Sequence, residues 1–598
     1  MTRARAEHRS REEGKLTWPV GWPAGIILAA ALVAYANSFS VPFLLDDLWS
    51  ILSNASIRRL WPIGPVLFPS AADPVPCRPL LNLSFALNYA VGGTAVAGYH
   101  WGNWLIHAGA GLSLFGLVRR TLRLPRMQER FGAVADSFAL GVALLWTLHP
   151  LQTISVTYLS QRAESLMGLC YLLTLYCFVR TATSPRPWVP GGLAIACCAL
   201  GMASKEVMVT APVVVVLFDR TFLAGSFKAA WQQRGRWHLG LATTWLLLGY
   251  FMVHAPIGNH VGYATGGLTA WTSLLTESRV VTLYQKLALW PHPLVFDYGP
   301  EKTAAQLAEV WPYVLWLGLL LFVTLVALRR WPVAGFLSGC FFLILAPTSS
   351  VIPVLSQPMA ENRMYLPLAA ILLLGVGGLH LWLGRKSAMV VSVLAAGLGA
   401  LTLQRNHDYG DALGLWRDTV AKQPGNPRAH CTLAHTLVRE TRRIDEAIAH
   451  YETALTLKPD YPEAHNNLAN LLADLPERST DTLAHYEAAV RLKPDYLAAH
   501  YNLAMYLERF PDRINDAISH YETILRFEKI RADDKRDLRK NGFEYLWSHY
   551  HLGTILLQTP GRLPEAIAHL EAVLRQKPNH LDARRMLEQA QSRENERR

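Results

Sequence analysis

The sequence predicts an all-α protein, a polytopic membrane half followed by a helical solenoid. Three observations lead there. Only 17% of the 598 residues are charged and 51% are hydrophobic, whereas roughly a quarter of a soluble chain is charged. The charge is unevenly spread: residues 20–400 are apolar runs with short polar breaks, and residues 415–598 have a soluble composition. That last stretch also repeats itself every 35 residues.

The membrane half comes first. A spanning helix takes about 20 apolar residues. Candidates are roughly 19–40, 99–118, 133–150, 163–180, 188–203, 207–222, 238–255, 310–328, 332–347, 365–383 and 387–404, about eleven spans in all. The first is too long for a signal-peptide core and lacks a small-residue cleavage site, so it reads as a span. Cys170, Cys177, Cys197, Cys198 and Cys340 lie inside such runs and act as small hydrophobes; no CxxC pair suggests a metal.

Loop charge orients these spans. Arg3, Arg5, Arg9, Arg11 and Lys15 precede the first. Alternation then puts Arg119–Arg130, Arg180 and Arg186, Arg220–Arg236, Arg329 and Arg330, and Arg385 and Lys386 on the same side. That is the positive-inside pattern, with residues 1–18 cytoplasmic. It also accounts for the net charge of +12 without nucleic acid, because the basic residues sit in short loops. An odd span count sends residues 415–598 to the opposite side, a periplasm or equivalent lumen.

The tail is a repeat. AIAHYE (447–452), TLAHYE (482–487), AISHYE (517–522) and AIAHLE (566–571) recur at 35, 35 and 49 residues. Pro424, Pro459 and Pro494 keep the same step, and the longer one implies an insertion near 527–547. Such units stack into a curved α-solenoid. The recurring His450, His485, His520 and His569 read as packing or solvated positions. The spacing resembles the tetratricopeptide repeat with one extra residue per unit. Asn467 and Asn502 resemble the Asn ladder that grips an extended peptide in some of those proteins, since an amide donates and accepts together.

The outward segments hold the unusual polar residues. VPFLLDDLWSI (41–51) sets Asp46 and Asp47 side by side where a span ends. The same face collects Arg78, His149, Gln161, Arg162, Glu164, Lys205, Glu206, Lys286, Glu361 and Arg363. Ionisable groups at membrane depth are costly and mark function. Here they gather at one face instead of lining a path through the midplane, which argues against transport.

FLLDDLWSI, CRPLLNLSFALNY (77–89), GYHWGNWLIHA (98–108), LHPLQTISVTYLSQRAESL (148–166), SKE (204–206), YQKLALWPHPLVFDYG (284–299) and ENRMYLP (361–367) follow one another as in the TMTC proteins. These are GT-C glycosyltransferases joined to tetratricopeptide repeats, and the similarity covers nearly the whole chain. The resemblance implies a GT-C transmembrane domain over 19–410 and a repeat domain over 415–598. It implies transfer of a sugar, typically mannose, from a polyprenyl phosphate to Ser/Thr hydroxyls of a protein.

The residues fit that chemistry. A hydroxyl is a poor nucleophile, and a carboxylate against it removes its proton. Asp46 or Asp47 is the candidate base for a single inverting displacement, and either can equally cap the helix starting at Leu48. The leaving phosphate needs fixed positive charge, for which Arg363, Lys205, Arg162, Lys286 and Arg78 are candidates; the resemblance favours Arg363 and Lys205, then Arg162. Glu164, Glu206, His149, Gln161 and Glu361 are candidates for holding those cations or the sugar. Lys205–Glu206 also reads as a structural ion pair at a tight corner. Asn467 and Asn502 are the candidate acceptor-peptide groove. No cofactor is required, since the lipid-linked sugar is a substrate; clustered carboxylates can bind a divalent metal, which is not favoured because a monophosphate leaving group beside several cations does not require one. A transferase of the same fold acting on a lipid or polysaccharide, and a non-enzymatic scaffold, are the alternatives.

Overall fold

A computed structural model describes residues 21–69, 75, 78–254, 269–299, 304, 306–349, 359–530 and 535–597. The expected cytoplasmic segment 1–18 lies outside them. The described residues form helices and turns with no strand. The chain divides into two compact units, Met1–Asp418 and Thr419–Arg598.

In the first unit the main helices are α1 (Gly21–Ala34), α2 (Pro79–Gly92), α3 (Val96–Leu122), α4 (Ala135–Thr147), α5 (Arg162–Arg180), α6 (Trp188–Met202), α7 (Ala211–Phe218), α8 (Phe227–His254), α9 (Ala270–Leu289), α10 (Trp311–Arg330), α11 (Pro332–Leu345), α12 (Pro367–Leu383) and α13 (Ser387–Asp408). Pro starts α2, α11 and α12 at the one place where a missing N–H costs nothing. Gly384, at φ 55°, separates α12 from α13.

Every expected span coincides with helix, but fewer meet the demands of a bilayer. Four segments are long and apolar enough to cross: Leu159–Arg180, Glu206–Ala224, Trp311–Arg330 and Pro367–Asp408. A fifth is the pair Pro125–Thr147 and Pro150–Val156, bent by 53°. The helices Gly21–Ala34, Trp188–Met202 and Pro332–Leu345 are apolar but short. Polar residues interrupt others, as His100, Asn103 and His107 do on α3. Along α10, Leu315, Leu319, Phe322 and Leu325 are exposed, as a lipid-facing helix requires. The chain is a membrane protein. Two helices, α2 and α9, form where the charge pattern suggested only outward loops.

Tyr365 anchors the core. Its hydroxyl meets His107 Nδ1 at 2.9 Å, and its carbonyl accepts Trp146 Nε1–H at 2.9 Å. Its ring lies over Gly168 of α5, where an added Cβ would stand 2.4 Å from Cε1. Asn406 of α13 donates to the Ala34 carbonyl at 3.0 Å and accepts from the Thr157 hydroxyl at 2.5 Å. These contacts fix the turns that carry the polar face.

The second unit is built from helices α14 (Pro427–Thr441), α15 (Ile444–Leu457), α16 (Pro462–Leu472), α17 (Ser479–Leu492), α18 (Leu497–Leu507), α19 (Ile514–Ile530), α20 (Lys535–Gln558), α21 (Leu563–Gln576) and α22 (Leu581–Arg597). Small residues let successive helices close up: Ala447, Ala464, Ala499, Ala517 and Ala566 are fully buried. Tyr451, Tyr486 and Tyr521 recur as large buried partners, and Leu570 takes that role last. The 49-residue step lengthens α19 to 17 residues, where α15 and α17 have 14, and α20 to 24, where α16 and α18 have 11.

Candidate active site

The Asp46–Asp47 pair sits on a tight turn, and the two carboxylates differ. Asp47 is buried: its Oδ2 accepts the Leu44 N–H at 3.0 Å and its Oδ1 accepts the Ser160 N–H at 2.6 Å. Its own N–H donates to the Leu44 carbonyl at 2.7 Å. Within this closure Leu45 takes φ 36°, left-handed backbone that a branched side chain resists. Asp46 is exposed; its N–H donates to the Tyr158 hydroxyl at 3.0 Å and its carbonyl accepts from the Ser50 hydroxyl. Asp47 therefore clamps the turn onto the entry of α5, and Asp46 offers its carboxylate to solvent.

Burial pushes the Asp47 carboxyl up to about 7, against the pull of the Leu44 and Ser160 amides; the neighbouring Asp46 charge adds only a small share. Desolvation is the dominant cause.

The segment before α5 meets this turn directly, and hydrogen bonds link further corners to one another. Ser160 and Gln161 lead into α5, and Gln161 Oε1 accepts from Asn362 Nδ2 at 2.8 Å, joining the corner that carries Arg363. The Leu80 N–H of α2 donates to the Ala203 carbonyl at 3.2 Å, joining the corner that carries Lys205 and Glu206. Lys205 forms a buried ion pair with Glu164. Arg78 and Glu206, both part-exposed, lie 3.7 Å apart. Arg363 is buried and reaches Ser349 Oγ at 3.3 Å and Glu277 of α9 at 3.9 Å. The charges of Arg363, Lys205 and Arg78 all act on Glu206.

Other candidates have structural tasks. Arg162 is buried and spends its donors inside the fold: on Asn103, on Asn88 at 2.6 Å, on the Tyr99 carbonyl at 2.7 Å, and on Ser84 at 3.2 Å. Little of the fork remains for a phosphate. His149 is also buried; its Nε2 bonds the Ala288 carbonyl at 3.2 Å and its Nδ1 accepts from the Leu151 N–H at 3.2 Å, so neither nitrogen faces a sugar. Glu361 accepts from the Val295 N–H and the Tyr298 hydroxyl, both at 2.7 Å, and so holds the 294–298 loop. Lys286 is exposed nine residues after Glu277 on α9, which at 3.6 residues per turn is the opposite face.

Tyr158, Ser160, Glu277 and Arg405 were missed in the sequence. Glu277 carried a signal, an ionisable residue in one of the outward segments. Arg405, buried at the end of α13, lies 3.1 Å from Asp408 and 3.5 Å from Asp418. Tyr158 and Ser160 had no signal, because they act through contacts with a turn over a hundred residues away.

Polar contacts in the repeat unit are internal. Asn502 Nδ2 donates to Asn466 Oδ1 at 2.9 Å, and Asn466 Nδ2 donates to Asn467 Oδ1 at 3.2 Å. The recurring histidines are half of four pairs. His430 meets His450, His465 meets His485, His500 meets His520 and His549 meets His569, Nδ1 to Nδ1 at 2.8–3.0 Å. In the first three, the leading Nε2 faces the carbonyl of Pro424, Pro459 or Pro494 at 2.9–3.1 Å, so it carries the proton and its Nδ1 is the acceptor. In the fourth, Glu528 replaces the proline carbonyl at 3.0 Å. Among the described residues no three His, Cys, Asp or Glu side chains group as a metal site.

A family model described as "TPR repeat" matches residues 439–475. Over longer stretches the chain is similar to curated proteins. It is 30% identical over 295 residues to the Drosophila melanogaster protein O-mannosyl-transferase Tmtc2, covering 45% of this chain and 30% of that one. Its relatives include the TMTC protein O-mannosyl-transferases. Tmtc1 of Drosophila melanogaster is 26% identical over 523 residues, covering 69% of this chain and 59% of its own. Human TMTC1 is 25% identical over 511 residues, covering 75% and 56%. The chain thus spans 30–59% of the length of these three TMTC relatives. A solved structure of the APC/C hetero-tetramer Cut9–Hcn1 overlaps with a TM-score of 0.24 at 14% identity, too low to bear on the fold.

Proposed function

We propose that this protein is a membrane glycosyltransferase that moves one mannose from a polyprenyl-phosphate donor to Ser/Thr hydroxyls of an acceptor protein. The observation that carries the reading is an exposed Asp46 carboxylate on a turn fixed by buried Asp47, in a chain similar to protein O-mannosyl-transferases. Asp46 takes the hydroxyl proton as the oxygen attacks the anomeric carbon. The new C–O bond forms as the bond to the phosphate breaks, with inversion, and polyprenyl phosphate leaves. Arg363 and Lys205 supply positive charge for it, with Arg78 beside them. Glu164, Glu206 and Glu277 hold those cations in place. Arg162, His149, Gln161 and Glu361 position the corners. The reaction as written calls on no metal.

The membrane half sits in a bacterial inner membrane with about eleven spans, and the site and repeat unit face the periplasm. The repeat unit binds the acceptor along the Asn466–Asn467–Asn502 chain, where the Asn467 and Asn502 side chains are part-buried.

The test is Asp46→Asn in purified full-length protein with a synthetic polyprenyl-phosphate mannose and a Ser/Thr peptide. A loss of 10²-fold or more in transfer rate with the donor still bound is expected, the usual size for a general base. Equal turnover by the variant would exclude Asp46. Wild-type transfer is expected to continue in EDTA.

A further inference from the structure

The membrane unit encloses a second site, an apolar cavity of about 680 Å³. Its walls include Leu117, Leu175, Phe218, Phe336, Ile344 and Ala369. Three guanidiniums line it: Arg126 and Arg130 on the short helix Pro125–Phe131, and Arg330 in the last turn of α10. Arg126 lies across Gly225, where an added Cβ would stand 2.0 Å from Nη2. Among the described residues none of the three has a carboxylate partner. Asp136 is taken by Arg119 and Arg123, and exposed Glu129 on the same short helix pairs with none of them.

The cavity mouth is remote from the Asp46 turn. His100, in the first turns of α3, bonds the Val41 carbonyl beside that turn, at 2.8 Å. Thr121 and Leu122, at the other end of α3, line the cavity beside Arg126. Some twenty residues at 1.5 Å each put about 30 Å between them, the thickness of a bilayer's hydrocarbon. The two sites lie toward opposite membrane faces.

Three like charges around an apolar opening repel one another until an anion joins them, and basic pockets between membrane helices take anionic headgroups. We propose that this cavity holds one anionic phospholipid, with its phosphate on Arg126, Arg130 and Arg330 and acyl chain between α3, α5, α11 and α12. A zwitterionic lipid brings its own ammonium and gains less. The proposal does not depend on the transferase reading.

The experiment is native mass spectrometry of the detergent-purified full chain with phosphatidylglycerol, phosphatidylcholine or polyprenyl phosphate added. One phosphatidylglycerol is expected to be held at least tenfold tighter than phosphatidylcholine. R126Q/R130Q/R330Q should abolish that preference, while R186Q/R385Q, at arginines that do not line the cavity, should keep it. Equal retention of the two phospholipids, an unchanged triple variant, or displacement by polyprenyl phosphate with preference over phosphatidylglycerol overturns the proposal.

Discussion

Replacing Asp47 with Asn tests whether the buried carboxylate sets the candidate base. Asp47 accepts two amide protons, from Leu44 and Ser160. Asparagine keeps one acceptor oxygen, and its NH₂ then faces the second amide, donor against donor. The lost bond is charge-assisted and contributes about 2 kcal/mol. The same turn holds Leu45 at φ 36°, a conformation costing on the order of 1–2 kcal/mol that the closure must offset. A loss of about 2 kcal/mol opens the turn roughly thirtyfold. Transfer should fall by about that factor with donor affinity little changed, and hydrogen exchange at the Ser160 amide should accelerate. The pH dependence carries a second signature. Protonating Asp47 removes one of the two acceptors, so activity should fall as pH drops through about 7. Stability runs the other way. The folded carboxyl is raised from 3.8 to about 7, so between those values the folded chain holds a proton that the unfolded chain lacks. Stability is therefore greatest toward the acid side of that window and declines as pH rises through it. D47N should lose both dependences. An acid limb near 7 that survives in D47N, or wild-type turnover by that variant, would refute the reasoning.

Glu164→Gln leaves the largely buried Lys205 with only the part-exposed Glu206 as counter-charge and should destabilise the membrane unit by up to about 3–5 kcal/mol in a denaturant melt, with E164Q/K205M recovering part of it. Gly168→Ala drives a Cβ into the Tyr365 ring and should cost about 1–3 kcal/mol while slowing transfer through the displaced Arg363 corner; an unchanged melt would refute the packing argument. In the repeats, burial lowers His520 and His569 from 6.5 to about 4, and His465, His485 and His500 shift the same way. The unfolded chain then binds protons that the folded chain refuses, so stability is lost as pH falls from 6.5 toward 4. After discounting for partial exposure the slope is about 1–2 kcal/mol per pH unit. Full-chain melts at stepped pH should show it, and H520Q/H569Q should flatten it.

Helix positions were legible because apolar length and repeat period are properties of neighbouring residues. The bilayer-crossing count was less so. Four or five segments are long and apolar enough to cross, because helices such as Gly21–Ala34, Trp188–Met202 and Pro332–Leu345 are apolar but short. Helices α2 and α9 fell in outward segments, since polar residues such as Asn82 and Asn88 on α2 and Glu277, Arg279 and Lys286 on α9 interrupt their apolar runs. The repeating histidines showed only one partner of each pair. The other sits 20 residues earlier on a different helix, and nothing local marks the two as touching.

The candidate site divides along the same line. Residue type and membrane depth pointed to Asp46 and Asp47 and to a wider set of cations, from which the family resemblance favoured Lys205 and Arg363. The allocation of tasks among them needed three dimensions. Arg162 is a cation at the right depth, yet Asn88, Asn103 and Tyr99 have already claimed its fork. Asp46 and Asp47 are the same residue type one position apart, yet amides from a turn more than a hundred residues later reach only the second. What separates the exposed carboxylate from its buried neighbour is which donors other segments bring to it. The sequence lists charges, and only the fold shows that Asp47's is already in use and that Asp46's faces the solvent.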